Sequence, residues 1–448
     1  MPEIYGNYQY ILTISTAILL FTNMSTESAF FTFISKKKQH INFYLTYFGW
    51  QFLQILLVFL FVLLLNQDIY QLLFKDTEVG LVFIALGASF FVGNIQNTSN
   101  HLVESIRKTH YSQILSIVIA AIHLTVVLSF IYLDSLSIKL LFQVLLFEYV
   151  LYASIIFVLL KKYSSKLFTS DIFNIKDMIN KFYIYCRPVF ILAIFGFIYV
   201  FMDRWLIQTY VGPEGQAFFS ISMQFSALTT LVTSSILKLF WKEVSESIEQ
   251  KDFEKTKRYF TVVSKNLFLF TTAVSSILFF FSEYILRYFY SDSYMGASLV
   301  FKLIMLYPIF QSMGQLYSVF FLGTEQTRLY KNISISISIL SISVAILLLS
   351  DFGLNIGVEG IAIKLITMNF ISIFILEYYI SQYLKIHTNY LYKVKYFILI
   401  FCISYLMYEF QIYLDFPFTV QMLLIGTFYV LPIGIFLFKS LQKELRGT

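Results

Sequence analysis

The feature that most constrains this sequence is a series of thirteen apolar stretches, each long enough to cross a bilayer as a helix. A helix needs about 20 mostly apolar residues to span the hydrocarbon core. The stretches lie at residues 8–34, 43–65, 79–100, 112–133, 137–160, 182–206, 216–241, 260–282, 297–322, 330–350, 357–381, 394–412 and 417–438. Charged residues are 13% of the 448 residues, whereas a soluble domain carries about 25%. The sequence therefore excludes a soluble multi-domain protein and predicts an all-α polytopic membrane protein with about thirteen transmembrane helices.

The loops between these stretches alternate in charge, which predicts an orientation. Basic residues are retained on the cytoplasmic side of a membrane. One set of alternate loops holds 23 of the 32 Lys and Arg residues, and the other set holds only Lys75 and Arg287. We therefore expect a multi-pass protein of the bacterial cytoplasmic (inner) membrane with its C-terminus in the cytoplasm and its N-terminus outside.

The sequence contains a weak internal repeat, which predicts two pseudo-symmetric helix bundles. Pro2-Glu3 with Gly6 at the first stretch matches Pro213-Glu214-Gly215 at the seventh, and Glu104 with Arg107 matches Glu325 with Arg328. Repeated bundles with a substrate path between them are a common plan of transporters. The predicted parts are an N-terminal bundle of five helices (1–160), a basic cytoplasmic linker (161–181), a C-terminal bundle of six helices (182–381) and two accessory helices with a tail (382–448).

The repeat also implies that the first bundle lacks one helix. The sixth stretch, 182–206, has no counterpart, because its partner would precede Met1. We expect either a misplaced start codon or a real truncation. Pro188 and Pro308 lie inside two stretches and favour kinks, since proline removes a backbone hydrogen bond; the alternative is that membrane helices simply tolerate them.

Seven cations remain inside the apolar stretches, and few acids accompany them. A cation at mid-membrane costs roughly 3 kcal/mol, so it usually faces a cavity or a partner. We predict that six bind substrate in a central cavity of positive potential: Arg187, Arg204, Lys238, Lys265, Lys302 and Lys364. Anchoring at the membrane surface is an equal alternative for Arg187, Lys238, Lys265 and Lys302, and for the seventh cation, Lys139. Such a cavity would attract an anion, and phosphate pairs well with Arg and Lys.

Three acids are candidates for ion coupling or charge pairing. Glu27 and Glu148 lie within apolar stretches, and Asp203 is adjacent to Arg204. Glu148 is near the middle of its stretch, so its carboxylate cannot reach water. His123, also mid-stretch, is predicted mainly as a hydrogen-bonded packing residue.

Several motifs resemble those of bacterial polysaccharide transporters. Asp203-Arg204, then Gly212-Pro213-Glu214 and Phe219-Ser220, resemble the Asp-Arg … Gly … Tyr-Ser signature of O-antigen flippases of the Wzx type. These belong to the multidrug/oligosaccharidyl-lipid/polysaccharide exporter (MOP) superfamily. Residues 321–325, with Arg328 and glycines at 353, 357 and 360, resemble its second-bundle pattern, whereas Ala217 and Phe219 stand where the family often has Gly and Tyr.

This resemblance implies a flippase that moves undecaprenyl-diphosphate-linked oligosaccharide repeat units for O-antigen, lipopolysaccharide or capsule across the inner membrane by alternating access. It implies a transporter and not an enzyme, with no cofactor apart from a coupling ion, H⁺ or Na⁺. The partners would be the lipid-linked oligosaccharide, the lipid bilayer, and a polysaccharide polymerase and chain-length regulator, with no nucleic acid. In the superfamily the cavity-lining helices correspond here to the first, sixth and seventh stretches, which carries a lining role onto Glu27, Arg187, Arg204 and Lys238.

Three alternatives stay open at this level. A multidrug exporter shares the fold but would favour buried acids over buried cations. A polysaccharide polymerase or ligase needs a folded domain outside the membrane, and the outer loops are short. The third alternative is an inactive, truncated flippase.

The cysteines predict no metal site. The chain has two of them, Cys186 and Cys402, and both lie in apolar stretches.

Overall fold

The computed structural model describes residues 2–36, 39–163, 167–169, 173–290, 292–324, 326–386 and 390–414, with single positions at 420, 427, 435 and 439. Its described part is almost entirely helical. The helices are α1 (Pro2–Asn23), α2 (Thr26–Lys36), α3 (Ile41–Leu64), α4 (Gln67–Phe74), α5 (Val79–Phe90), α6 (Gln96–Ser105), α7 (Thr109–Tyr132), α8 (Ile138–Lys161), α9 (Ile175–Tyr210), α10 (Pro213–Glu249), α11 (Phe253–Phe280), α12 (Ser282–Phe289), α13 (Ser298–Ile304), α14 (Tyr307–Gly323), α15 (Thr327–Leu349), α16 (Val358–Leu384) and α17 (Tyr390–Leu414). A π-helical turn (Phe91–Ile95) joins α5 to α6, and a 3₁₀ turn (Asp292–Ala297) precedes α13.

The prediction of an all-α protein with many membrane spans is confirmed. Within the described residues, eight helices are long and apolar enough to cross a membrane, and two bent pairs of helices raise the number to ten. Helices α9 and α10 cover two more of the thirteen predicted spans. The last predicted span, 417–438, lies almost wholly outside the described residues.

Local sequence signals explain where several helices begin. The side chains of Asn66, Ser137 and Asp252 accept hydrogen bonds from backbone N–H groups at the starts of α4, α8 and α11. These N-caps satisfy donors that have no partner inside the helix. Gly212 precedes α10 with a φ of 91°, a value open to glycine because it has no Cβ.

The chain divides into two compact units. The N-terminal unit comprises residues 7–205, and the C-terminal unit comprises residues 1–6 and 206–448. By contacts, residues 182–205 lie with the N-terminal unit, although the repeat assigns this segment to the second bundle. The assignment of helices to symmetric bundles stays a prediction.

The N-terminal unit has an apolar core with a short pair of strands at one end. Its core includes the fully buried rings of Phe74, Phe142 and Tyr152. Strand β1 (Gln39–His40) pairs in parallel with β2 (Phe168–Thr169). The pair fixes the start of α3 against the basic linker.

The C-terminal unit packs its helices around a second core. Helices α10, α11, α14 and α16 supply most of that core. Ser341 and Ala345, two small residues four positions apart on α15, are fully buried. Small residues on one face let membrane helices approach closely.

Candidate functional site

The first predicted span, 8–34, is broken in the middle. Helices α1 and α2 meet at 60°, because Met24 and Ser25 adopt left-handed φ angles of 50° and 61°. The Asn23 side-chain oxygen accepts hydrogen bonds from the Thr26 hydroxyl (2.7 Å) and the Glu27 backbone N–H (3.2 Å). Asn23 thus replaces helical hydrogen bonds that are lost at the break.

A carboxylate and an imidazole meet beside this break. Glu27 Oε1 lies 3.1 Å from His101 Nε2 on α6, and the Phe31 ring packs 4.4 Å from the His101 ring. Both Glu27 and His101 are half-buried. The sequence predicted Glu27 as a coupling or charge-pairing residue, and the structure identifies its partner.

A largely apolar cavity of about 560 Å³ lies next to the break, wholly within the N-terminal unit. Its walls come from the α1–α2 junction, the first half of α3 and the first half of α9. The lining residues are Met24, Thr26, Thr46, Tyr47, Trp50, Met178, Ile179, Phe182, Tyr183, Cys186, Arg187 and Phe190. Arg187 is the one side chain among them with a formal charge. We call this space the hinge cavity.

Aromatic contacts and a polar network hold the walls of the hinge cavity in place. The Phe182 ring packs 5.2 Å from Phe33 of α2 and 6.1 Å from Tyr47 of α3. The Gln51 amide donates to the Tyr47 hydroxyl (3.0 Å) and to Thr98 Oγ1 (2.8 Å). The Trp50 indole Nε1 is buried and has no hydrogen-bond partner among the described residues.

Glu148 is almost fully buried on α8 and pairs with an imidazole of α7. Its Oε2 lies 2.8 Å from His123 Nδ1, whereas its Oε1 is buried without a partner within the described part of the chain. His123 is therefore hydrogen-bonded, as predicted, and its partner is a nearly fully buried acid.

Asp203 and Arg204 lie near the other end of α9. Asp203 is buried and Arg204 is half-buried. The neighbouring Trp205 indole donates to the Leu72 carbonyl (2.8 Å), and Lys75 Nζ lies 5.3 Å from the Trp205 ring centre. Partial burial lowers the pKa of Lys75.

The predicted cations of the C-terminal unit lie in separate places. Lys265 Nζ is 5.1 Å from the Tyr392 ring centre, and Lys302 Nζ is 5.0 Å from that of Phe279. Lys265 and Phe279 both belong to α11 and are about 21 Å apart along its axis, given a rise of about 1.5 Å per residue. In this conformation one diphosphate group would not bridge Lys265 and Lys302. Lys364 is fully buried, and the Lys238 side chain lies outside what the structure describes.

Sequence reasoning missed a partly buried ion pair in the C-terminal unit. Lys393 of α17 donates to Glu377 Oε1 of α16 and lies 3.4 Å from the Tyr317 hydroxyl of α14. The sequence placed Lys393 in a cytoplasmic loop and did not count Glu377 among the deep acids. The available signal was an acid inside a predicted span, followed by a lysine just before the next span.

The described residues contain no evident metal site. Among the described residues, no group of three or more His, Cys, Asp or Glu side chains is placed to hold a metal ion. The geometry offers two Glu–His hydrogen bonds, an ion pair between Glu377 and Lys393, and an apolar surface in the hinge cavity that an apolar group could cover.

Comparison by sequence finds no relative, whereas comparison by structure finds several. No protein-family model matches the chain, and no curated protein does. A structure described as the lipid II flippase MurJ in an inward closed conformation matches with a TM-score of 0.67 and 17% identity, covering 99% of this chain and 96% of the flippase chain.

Two further matching structures are described as transporters of the MOP superfamily. An inward-facing multidrug resistance MATE family transporter of the MOP superfamily matches with a TM-score of 0.62 and 12% identity, over 86% of this chain and 90% of its own. A MOP superfamily transporter from Pyrococcus furiosus, described as having a binding pocket of reversed polarity, matches with a TM-score of 0.52 and 11% identity, over 86% of each chain. Identities this low show the fold alone. The chain therefore has the polytopic helical fold that is shared by MOP superfamily transporters, among them flippases and multidrug exporters.

Proposed function

We propose that this chain is a flippase for an undecaprenyl-diphosphate-linked oligosaccharide, an O-antigen or capsule repeat unit, in the bacterial inner membrane. The observation that carries the proposal is the hinge cavity, a largely apolar space whose described lining residues include one with a formal charge, the exposed Arg187. A lipid-linked phosphate has the matching chemistry, since its chain is apolar and its phosphates form charge-assisted hydrogen bonds with Arg. The fold of a lipid II flippase over 99% of the chain supports the same class of substrate.

The rest of the proposal concerns the transport cycle. The sequence-predicted cations Arg204, Lys238, Lys265, Lys302 and Lys364 would contact the diphosphate at successive stages of alternating access. A polysaccharide polymerase and a chain-length regulator would receive the product on the outer face. The cytoplasmic position of the C-terminus belongs to this proposal.

Coupling to a proton gradient is the form of energy input that the site favours. Glu27 and Glu148 each face a histidine, at 3.1 Å and 2.8 Å. An imidazole nitrogen paired with a carboxylate can hold a proton between them, whereas Na⁺ needs several oxygen ligands. Glu27→Gln and Glu148→Gln should each reduce transport driven by an imposed pH gradient, and transport driven equally by a Na⁺ gradient would contradict this assignment.

The experiment that tests the function uses surface polysaccharide in a host that lacks its own flippase. Wild-type chain and Arg187→Lys should restore export, because both keep a cation at the edge of the hinge cavity. Arg187→Ala should reduce export at least about tenfold, since a hydrogen bond to a charged group is worth roughly 1.5–3 kcal/mol. Lys176→Ala removes an exposed cation of the same helix and is the matched control. Equal export by all variants at equal membrane levels would refute the role of Arg187.

A multidrug exporter is the second candidate, and the aromatic lining of the hinge cavity is the observation that favours it. Phe182, Tyr183 and Phe190 offer rings to a flat drug. Arg187 in the same wall would repel an organic cation. Resistance to cationic dyes in an exporter-deficient host, without polysaccharide export, would support this candidate over the flippase.

A further inference from the structure

We propose that a second cavity, which lies in the C-terminal unit, binds one uncharged sugar ring of the lipid-linked oligosaccharide. The inference rests on the proposed function and deepens it, because it names the part of the substrate that this unit recognises. The cavity has a volume of about 180 Å³ and lies between α14, α15 and α16. Its surface is mostly polar, in contrast to that of the hinge cavity. We call it the polar cavity.

Neutral amide and hydroxyl groups line the polar cavity. Gln311, Gln315 and Ser318 lie on one face of α14, because positions four and three residues apart fall on the same side of a helix. The other two helices add the Asn369 amide and three hydroxyl groups. None of the nine lining residues that the structure describes is Asp, Glu, Lys, Arg or His. The polar ones are all partly exposed, so their side chains are accessible.

These polar side chains do not join one helix to another. Polar groups inside a membrane bundle commonly hydrogen-bond across helices. Here the Gln311 amide oxygen accepts from the Tyr307 hydroxyl of the same helix (2.8 Å). The Asn369 amide nitrogen donates to the Leu365 carbonyl, also of its own helix (2.8 Å). These two bonds leave Gln311 Nε2 as a donor and Asn369 Oδ1 as an acceptor, and neither atom is buried.

The hydroxyl groups of the polar cavity are also free to bind. Those of Tyr330, Ser334 and Ser372 have no hydrogen-bond partner among the described residues, and none of the three oxygens is buried. The Tyr330 ring stacks on the Phe321 ring, with 6.0 Å between their centres, which holds its hydroxyl in place. A sugar hydroxyl both donates and accepts hydrogen bonds. Adjacent hydroxyls of one sugar ring therefore match this mixture of neutral donors and acceptors.

The size and neutrality of the polar cavity argue against other ligands. Its volume of about 180 Å³ corresponds to about six waters at about 30 Å³ each, which is room for one sugar ring and not for a whole repeat unit. A charged group is costly to bury without a counter-charge. A phosphate or a uronic acid would meet no cation among the lining residues, and an organic cation or a metal ion would meet no carboxylate.

Gly314 offers a way to fill the polar cavity without removing a hydrogen bond. It lies on α14 among the polar side chains, and a Cβ at this position would meet no heavy atom within 4 Å. Gly314→Ala should therefore be tolerated, whereas Gly314→Leu should fill part of the cavity and abolish sugar binding. Gly196 of α9 is exposed and its Cβ position is equally open, so Gly196→Leu is the matched control in the other unit.

The binding measurement uses the full chain in lipid nanodiscs, because glycoside detergents would themselves offer sugars to the site. The probes are the methyl pyranosides of glucose, galactose, mannose, rhamnose and N-acetylglucosamine, tested one at a time by saturation-transfer NMR. We expect saturable binding of at least one of them, and no binding of glucuronate or inorganic phosphate. The pyranoside that binds should bind equally to Gly196→Leu and not at all to Gly314→Leu.

Substitution of single polar groups tests the hydrogen bonds themselves. Asn369→Leu and Gln311→Met keep the approximate size of each side chain and remove its amide. Each should weaken binding of the pyranoside roughly two- to tenfold, the factor for one neutral hydrogen bond. Asn332 is exposed on α15 and does not line the polar cavity, so Asn332→Leu should bind like wild type. Equal binding by Asn369→Leu and Asn332→Leu would contradict the assignment.

Export by the same variants separates this inference from the proposed function. In the flippase-deficient host, Gly314→Leu should lower export at equal membrane levels, and Gly314→Ala should not. Absence of binding by every pyranoside, binding that survives Gly314→Leu, or a preference for glucuronate would each overturn the inference. Export by wild-type chain without sugar binding would remove the inference and leave the flippase. Sugar binding that Gly314→Leu abolishes, in a chain that exports nothing, would leave the polar cavity and remove the flippase.

Discussion

Buried acids inside the membrane need partners, and here their partners come from other helices. Glu148 is recognisable from sequence, because its position in an apolar stretch prevents contact with water. Its pairing with His123 is not, because 25 residues separate them and the contact depends on how α7 and α8 are rotated. Glu27 and His101, 74 residues apart, show the same limit.

The Glu377–Lys393 pair is a contact that counting charges by loop does not reveal. Lys393 was assigned to the cytoplasmic loops, yet its ammonium lies against the nearly buried carboxylate of Glu377 and near the Tyr317 hydroxyl. The pair attaches α17 to α16 and α14. A lysine beside a span can thus reach back into the bundle.

Substituting one partner of this pair should lower the stability of the protein more than substituting both partners. Glu377→Ala leaves the charge of the partly buried Lys393 without this partner, and losing a hydrogen bond between charged groups costs about 1.5–3 kcal/mol. Glu377→Met with Lys393→Met replaces the pair by apolar side chains of similar size and should be close to wild type. The measurement is thermal unfolding of the purified protein in detergent. A double variant as unstable as Glu377→Ala would contradict the explanation.

At the scale of elements, apolar length predicts a span but not its straightness. The stretch 8–34 was predicted as one helix, whereas the structure divides it at Met24 and Ser25. The polar sequence from Asn23 to Thr26 is the signal for this break. The stretch 297–322 carries a clearer signal, Pro308, and the structure has a 40° bend just before α14, where Pro308 lies in the first turn. Helix α9, in contrast, continues through position 188.

The left-handed backbone at Ser25 predicts which substitutions at the break should raise the thermal stability and which should lower it. A left-handed conformation costs a residue with a Cβ roughly 1 kcal/mol, so Ser25→Gly should raise the thermal stability, and Ser25→Val should lower it because Val is β-branched. Ser28 lies in the regular part of α2, and Ser28→Gly should be destabilising there by up to about 1 kcal/mol. Unfolding of the three variants in the same detergent checks the pattern. Stabilisation by glycine at both positions, or at neither, would argue against the break.

At the scale of the whole molecule, composition and apolar periodicity were enough for the fold class. They predicted a helical protein with many membrane spans, and the similarity to MOP superfamily structures agrees with this. The hinge cavity could not be predicted, because its walls come from the α1–α2 junction, α3 and α9, and α9 is distant in sequence from the other two. Arg187 is predicted from its charge and from the lining role that the family resemblance implies, and the structure sets it beside apolar side chains. Orientation and substrate stay predictions.

The central claim is that the chain moves a lipid-linked anionic oligosaccharide from one leaflet to the other. The direct measurement uses proteoliposomes that contain the full chain and an undecaprenyl-diphosphate oligosaccharide with a fluorescent sugar. A membrane-impermeant quencher then reports how much of the lipid reaches the outer leaflet. Wild-type chain should make nearly all of the labelled carrier accessible, and Arg187→Ala should leave the inner-leaflet share protected. Protection of that share in wild-type vesicles, or equal movement of a neutral phospholipid, would contradict the claim.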